Sequence, residues 1–284
     1  MVLQLSELRQ RPGSSVNRQI RTLPRQLDSR LPGRLRLSHI SWRTCVADLL
    51  ADHKTAQPAG PRLACQRHDG SLLAVTAHAL PPAVELLDAA LNAELFQQPL
   101  QYYEHTLGTR YPDDKYDVAF LPQYGPGLAF GAPGLLTTRD EVLNLKNKPE
   151  PYLAIVIAHE LAHTWFGGLI EFRPPENEWL EEGITTYVSR SALETIHPHI
   201  NPWSAATSET MPDHAYAKNA ASLKQLETRI GRQAVMDGIG DLLRHHANRT
   251  VTKDNLAHCW SLASGQDLRE WAANQFTPAP PDEA

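Results

Sequence analysis

Cysteine is scarce in this chain: Cys45, Cys65 and Cys259 are odd in number, far apart, and nowhere arranged as CxxC. That spacing excludes a disulfide framework and a cysteine-held metal site, and a reducing cytoplasm is the expected compartment. Long apolar runs are also missing. No stretch reaches the roughly 20 residues that cross a bilayer, and none near Met1 forms the apolar core of a secretory signal. The net charge of −5 is mild, so nothing in the bulk composition calls for a nucleic acid as substrate.

Lysine is absent from the first 43 residues, which hold nine Arg against only Glu7 and Asp28. Pro12, Pro24, Pro32 and two Gly interrupt this stretch, so a long helix is not expected there. Residues 1–60 read as a partly disordered basic arm lying against the acidic remainder of the chain. A nucleic-acid arm would carry interleaved aromatics, which this one lacks. A transit peptide shares its Arg-rich, acid-poor composition. At the other end, PAPPDEA reads as a frayed tail.

What remains, residues 61–284, is long enough for a sizeable core and is expected to form one domain. Alternation predicts short strands near 62–67, 71–78, 116–122 and 135–139, with one Ala/Leu-rich helix at about 81–107 interrupting them. From residue 150 onward the pattern is nearly all helical. DGIGDLLRHH and KDNLAHCWSLAS place apolar residues at helical spacing, and Leu242, Leu243, Leu256, Trp260 and Leu262 are expected in the core. The class is α+β, a small sheet with a mainly helical lobe.

Chemistry concentrates in HELAHTWFGGLIEFRPPENEWLEE, residues 159–182. On a helix His159 and His163 stand at i and i+4, one turn apart on one face, so both imidazoles can reach a single ion. Zinc in a hydrolase takes three protein ligands and leaves its fourth position to water, so a third ligand must come from elsewhere. Glu182 is the candidate, separated from His163 by eighteen intervening residues, with the adjacent Glu181 as its competitor. Glu160 sits beside the first histidine and suits a general base for water whose pKa the ion lowers to roughly 7. Five letters of HExxH alone are as consistent with a solvated helix face. The apolar run PYLAIVIA just before them argues against that, because a solvated face is not introduced by a helix buried on every side. A second helical stretch, from about Glu178 to Leu193, starts with acids where the helix dipole favours negative charge.

HELAHTWFGG followed by WLEEGITTYV resembles the aminopeptidase N family of zinc metallopeptidases, whose pattern is HELAHxWFGN, an eighteen-residue spacing, and WLNEGFA. YPDDKYDVAFLP at 111–122, HAYAKNAASLKQL at 214–226 and the stretch from Asn248 to Pro280 extend the likeness from about residue 80 to the C-terminus. The resemblance implies a thermolysin-like metallopeptidase catalytic domain with one zinc ion. His159, His163 and Glu182 would be its ligands, Glu160 the base and Tyr216 the donor to the tetrahedral oxyanion. Only the family spacing prefers Glu182 over Glu181. The implied partner is a peptide or protein substrate, with no membrane span and no nucleic acid. Thermolysin-like enzymes share HExxH and a downstream glutamate but lack the WL and EG flanks.

Two departures stand out. Where the family carries GxMEN, with a glutamate that binds the substrate amine, this chain has Leu128, Ala129, Phe130, Gly131 and Ala132, so Gly131 takes the place of the amine anchor. Glu171, Glu178 and Glu181 are the nearby acids that could substitute. Glu182 and Tyr216 also stand closer in sequence than in full-length relatives, so helices around the cleft are trimmed. The expected activity is hydrolysis of peptide bonds, aminopeptidase-like. A scaffold on a retained zinc fold, or a fragment of a larger aminopeptidase, is the alternative.

Overall fold

The computed structural model describes residues 60–80, 83–122, 129–144, 152–172, 178–203 and 214–275, with the backbone alone for 178, 179 and 214–217. The basic arm with Cys45 and the proline-rich tail lie outside the described residues.

Five strands form a mixed sheet: β1 (Arg62–Gln66), β2 (Leu72–Ala79), β3 (Lys115–Leu121), β4 (Ala129–Ala132) and β5 (Leu135–Arg139). Their order is β1-β2-β3-β5-β4. The central pairs β2/β3 and β3/β5 are parallel, whereas β1 and β4 join antiparallel at the two edges. A parallel pair needs a crossover. For β2 and β3 it is supplied by α1 (Val84–Ala90) and α2 (Glu94–Leu107). The single helix expected at 81–107 is therefore two. Leu91 leaves the helical region at φ −110°, ψ 136°, and the Asn92 side chain accepts from the Leu95 amide at 3.2 Å to start the next helix.

Strand β4 falls outside the strands that alternation predicts, because AFGA has neither the length nor the β-branched content of a strand. It exists through its partner. Pro133 and Gly134 turn the chain back into β5, and the φ of +76° at Gly134 is one that glycine adopts without strain.

The remaining chain is mostly helical: α3 (Tyr152–Ala162), α4 (Glu178–Ile196), α5 (His214–Ile230), α6 (Arg232–His246), α7 (Lys253–Ser264) and α8 (Arg269–Gln275). The expectation of nearly all helix beyond 150 misses two short strands, β6 (Glu171–Phe172) and β7 (Thr250–Val251), which pair in parallel. Leu242, Leu243, Leu256 and Trp260 are fully buried as expected, but Leu262 is 68% exposed. Two residues beyond Trp260, it lies about 200° around α7 from the core side. One apolar cluster runs from Cys65 on β1 to Ala272 on α8, so sheet and helices share a core. Cys65 and Cys259 are buried free thiols within it. Among the described residues no helix is long and apolar enough to cross a membrane.

Helix α3 lies in the middle of this packing, with all eleven residues buried. Apolar side chains on every face leave it no solvent side, as its sequence predicts. Its end is clamped by aromatics. Tyr103 donates its hydroxyl to the Ala158 carbonyl at 2.7 Å, and its ring meets Trp165 edge-on at 5.6 Å. Trp165 in turn donates to the Thr109 carbonyl at 3.0 Å. The buried Glu104 accepts from the Tyr111 and His68 amides, both at 2.9 Å, so the loop entering β3 is held to α2.

Candidate metal centre

The last turn of α3 comes together with the first turns of α4, and toward the other end of α4 Leu193 packs with Ala154, Ile155 and Ala158 of α3. α3 stops at Ala162, where the chain tightens into turns, so His159 is the last-turn residue and His163 sits just past the helix end. The two rings still converge, with centroids 5.0 Å apart and planes at 80°. Carbonyls at a helix C-terminus favour positive charge, and amides at a helix N-terminus favour negative charge. The imidazoles and a prospective cation therefore lie at the end of α3, and the carboxylates of Glu181 and Glu182 at the start of α4.

Glu182 Oε2 stands 3.3 Å from His159 Nε2 and 3.4 Å from His163 Nε2. All three donor atoms lie within 4.8 Å of one another, and all three residues are buried. For zinc bonds of about 2.0–2.1 Å, the edge of a tetrahedron is about 3.3–3.4 Å. With both N–O separations at that spacing, two imidazole nitrogens and one carboxylate oxygen form a group that could hold one such ion. Among the described residues this is the one such cluster of His, Cys, Asp and Glu.

His163 is oriented from behind. Its Nδ1 lies 3.0 Å from the Phe166 carbonyl, which can only accept and so keeps a proton on Nδ1, while Nε2 faces Glu182. Glu181 is also buried, but its Oε1 is 3.8 Å from His163 Nδ1, on the far edge of the ring. The geometry thus separates two glutamates that are adjacent in sequence: Glu182 faces both Nε2 atoms and Glu181 faces the back.

Charges here perturb one another strongly. Burial opposes a charged Glu182, yet the imidazoles of His163 and His159 outweigh it and hold the carboxyl well below the usual glutamate value. Burial likewise disfavours a charged His163, and Glu182, Glu160 and Glu181 overcome it, raising the imidazole to about 9 in the metal-free chain. Glu160 goes the other way. Burial pushes its carboxyl up, against the pull of both histidines and with Glu182 adding to the push.

Edge strand β4 lies directly against this end of α3. A Cβ built on Gly131 would sit 2.2 Å from the Glu160 carbonyl oxygen, so strand and helix touch backbone to backbone at the candidate base. On the other side, Gly183 follows Glu182, and a Cβ there would lie 2.4 Å from the Asn219 Cβ. That close approach docks α5 on α4. Tyr216 is three residues before Asn219 and shares its face of α5. Its side chain lies outside the described residues. Of the acids considered as substitutes for the amine anchor, Glu181 faces away from the Nε2 side, Glu171 belongs to β6, and the Glu178 side chain lies outside the described residues. The sequence reading missed Gly131 and Gly183 as contact points. For Gly183 the signal was its place directly after Glu182.

Residues 91–214 match the peptidase family M1 domain. Aminopeptidase N of Streptomyces lividans is 27% identical over 268 residues, covering 81% of this chain and 31% of that protein. Endoplasmic reticulum aminopeptidase 1 of Homo sapiens is 27% identical over 217 residues, 64% of this chain and 22% of that protein. Among solved structures, Legionella pneumophila aminopeptidase A in complex with aspartic acid superposes with a TM-score of 0.65 over 79% of this chain and 28% of that one. At 20% identity the likeness is one of fold. The chain spans less than a third of the length of these curated relatives.

Proposed function

We propose that this chain, whose residues 91–214 match the peptidase family M1 domain, is a zinc-dependent, aminopeptidase-type hydrolase of peptide bonds. One zinc ion would be held by His159, His163 and Glu182. The observation that carries this reading is the convergence of two Nε2 atoms on one carboxylate oxygen, both N–O separations being at tetrahedral-edge spacing.

When bound, the ion supplies a Lewis acid that acidifies a water molecule and polarises the scissile carbonyl. Glu160 then has a proton to move. Burial raises its carboxyl above the ordinary glutamate value, which favours holding a proton between accepting it from the attacking water and returning it to the leaving amine. Tyr216 is assigned the oxyanion. A phenol donates to developing negative charge without carrying charge of its own, and the docking of Asn219 on Gly183 ties the helix of Tyr216 to that of Glu182. The metal ligands are oriented by the Phe166 carbonyl behind His163 and by burial of the whole cluster.

Substrate placement falls to β4, which pairs only with β5 among the described residues and so offers its other edge to an extended peptide. Its residues, Ala129 to Ala132, are uncharged. A substrate ammonium in a closed site needs a carboxylate. Gly131 cannot provide one, and its contact with the Glu160 backbone leaves no room for a side chain there.

The test uses the full chain with its zinc content measured, assayed on aminoacyl amides and on one peptide in free and acetylated forms. Glu160→Gln should slow hydrolysis by about 10²–10⁴-fold while zinc remains bound. Preference for the free peptide supports the aminopeptidase assignment, and equal rates replace it with cleavage that ignores the N-terminus. A zinc-replete chain whose rates are indistinguishable from those of Glu160→Gln would end the enzyme reading.

A further inference from the structure

We propose that Glu181 is a positioning residue of the metal centre: seated over Gly167, its carboxylate holds the rear edge of His163 and adds the negative charge that retains the ion. The proposal rests on the zinc reading above.

Three observations carry it. Glu181 Oε1 lies 3.8 Å from His163 Nδ1, on the ring edge opposite the Nε2 that faces Glu182. Its side chain is only 12% exposed, so it is not a solvated acid that happens to start a helix. The turn after HELAH is also shaped around it. Gly167 has φ +96°, and a Cβ on it would lie 2.4 Å from Glu181 Oε1, in the place the carboxylate takes. That turn is closed by Gly167 donating to the Ile170 carbonyl at 2.9 Å, so the cradle is ordered by its own backbone.

The electrostatic consequence follows from counting charges. Glu160, Glu181 and Glu182 face two imidazoles, one carboxylate more than a base and a two-histidine, one-glutamate ligand set require. Groups behind a metal-bound histidine fix its ring and raise its strength as a donor, and their loss typically lowers metal affinity or activity by about 10–100-fold. A carboxylate near that ring does both. The Phe166 carbonyl alone would set the tautomer without the charge.

The experiment measures zinc release from the full chain into a competing chelator at fixed pH, with folding followed by circular dichroism. Glu181→Gln keeps the shape and removes the charge, and should speed release about tenfold or more, whereas Glu181→Asp should stay closer to the parent. Gly167→Ala, which evicts the carboxylate without changing the charge count, should mimic Glu181→Gln. The proposal is overturned if Glu181→Gln releases zinc at the parent rate while Glu182→Gln loses it. It is equally overturned if the Gln and Asp variants lose zinc alike, since charge is then irrelevant. If Glu182→Gln also retains zinc normally, the metal assignment itself fails.

Discussion

Two clusters of charge are tucked between the helices of this protein, and they are balanced differently. In the lobe, Glu227 receives Lys224 at 3.0 Å, Arg232 at 2.9 Å and the Tyr187 hydroxyl at 2.9 Å, while Lys224 and Arg232 both also reach Glu194. Two carboxylates meet two permanent cations, so the cluster is complete in itself and ties α4 to α5 and α6. Where α3 meets α4, by contrast, Glu160, Glu181 and Glu182 are buried beside His159 and His163. Imidazole is a weak and conditional cation. A buried set of acids with such partners is stable only if it protonates its histidines or takes a cation from outside. The cluster built on permanent cations is structural, and the one built on imidazoles is where the chemistry is expected.

The largest effect that separates the two clusters should come from removing metal. Stripping zinc from the full chain should abolish hydrolysis and lower stability by roughly 4 kcal/mol relative to protein held at about a thousandfold excess of zinc over its dissociation constant. Thermal unfolding with and without chelator reads this directly. In Glu182→Gln the difference should vanish, while variants of the lobe cluster should keep it.

A smaller effect is expected from Glu227→Gln, which leaves Arg232 and Lys224 with fewer partners. The cost should be about 1–2 kcal/mol, held down by the partial exposure of both cations, with zinc content unchanged. Its pH signature has a definite sign. Although burial opposes the charge, Arg232, Lys224 and Tyr187 hold the Glu227 carboxyl below its ordinary value. A depressed carboxyl stabilises the fold at pH above its unfolded value, and that contribution is lost as pH falls through the folded value. Denaturation titrated from neutral to acid pH should therefore steepen below about 4.5, and Glu227→Gln should flatten that limb. The smallest effect should come from Leu262→Ser. An exposed position on α7 should change stability by no more than about 0.5 kcal/mol, and a larger loss by urea unfolding would mean that this face is covered.

Legibility in the sequence followed the range of the interactions involved. The histidine pair could be read because i and i+4 neighbours are set by one helix, and the buried character of α3 because PYLAIVIA has no polar face. Most core positions followed from periodicity. Leu262 did not, since a leucine on the outer side of a helix looks the same in sequence as one on the inner side. The break at Leu91 was hidden because neither proline nor glycine marks it. Strand β4 was invisible for a different reason. Its four residues have no strand character of their own and acquire it by pairing with β5.

By itself the sequence determined the candidate metal-ligating residues, most of the longer strands and helices around them, and the likeness to the M1 peptidases, because these rest on residue types and short spacings. Only the tertiary structure decided which of two adjacent glutamates faces both Nε2 atoms, that the other backs His163 over a bare glycine, and that β4 presses on the helix of Glu160. Adjacent residues on a helix point 100° apart. Which direction is the site depends on where a second helix lies, and that is settled by packing between segments far apart in the chain.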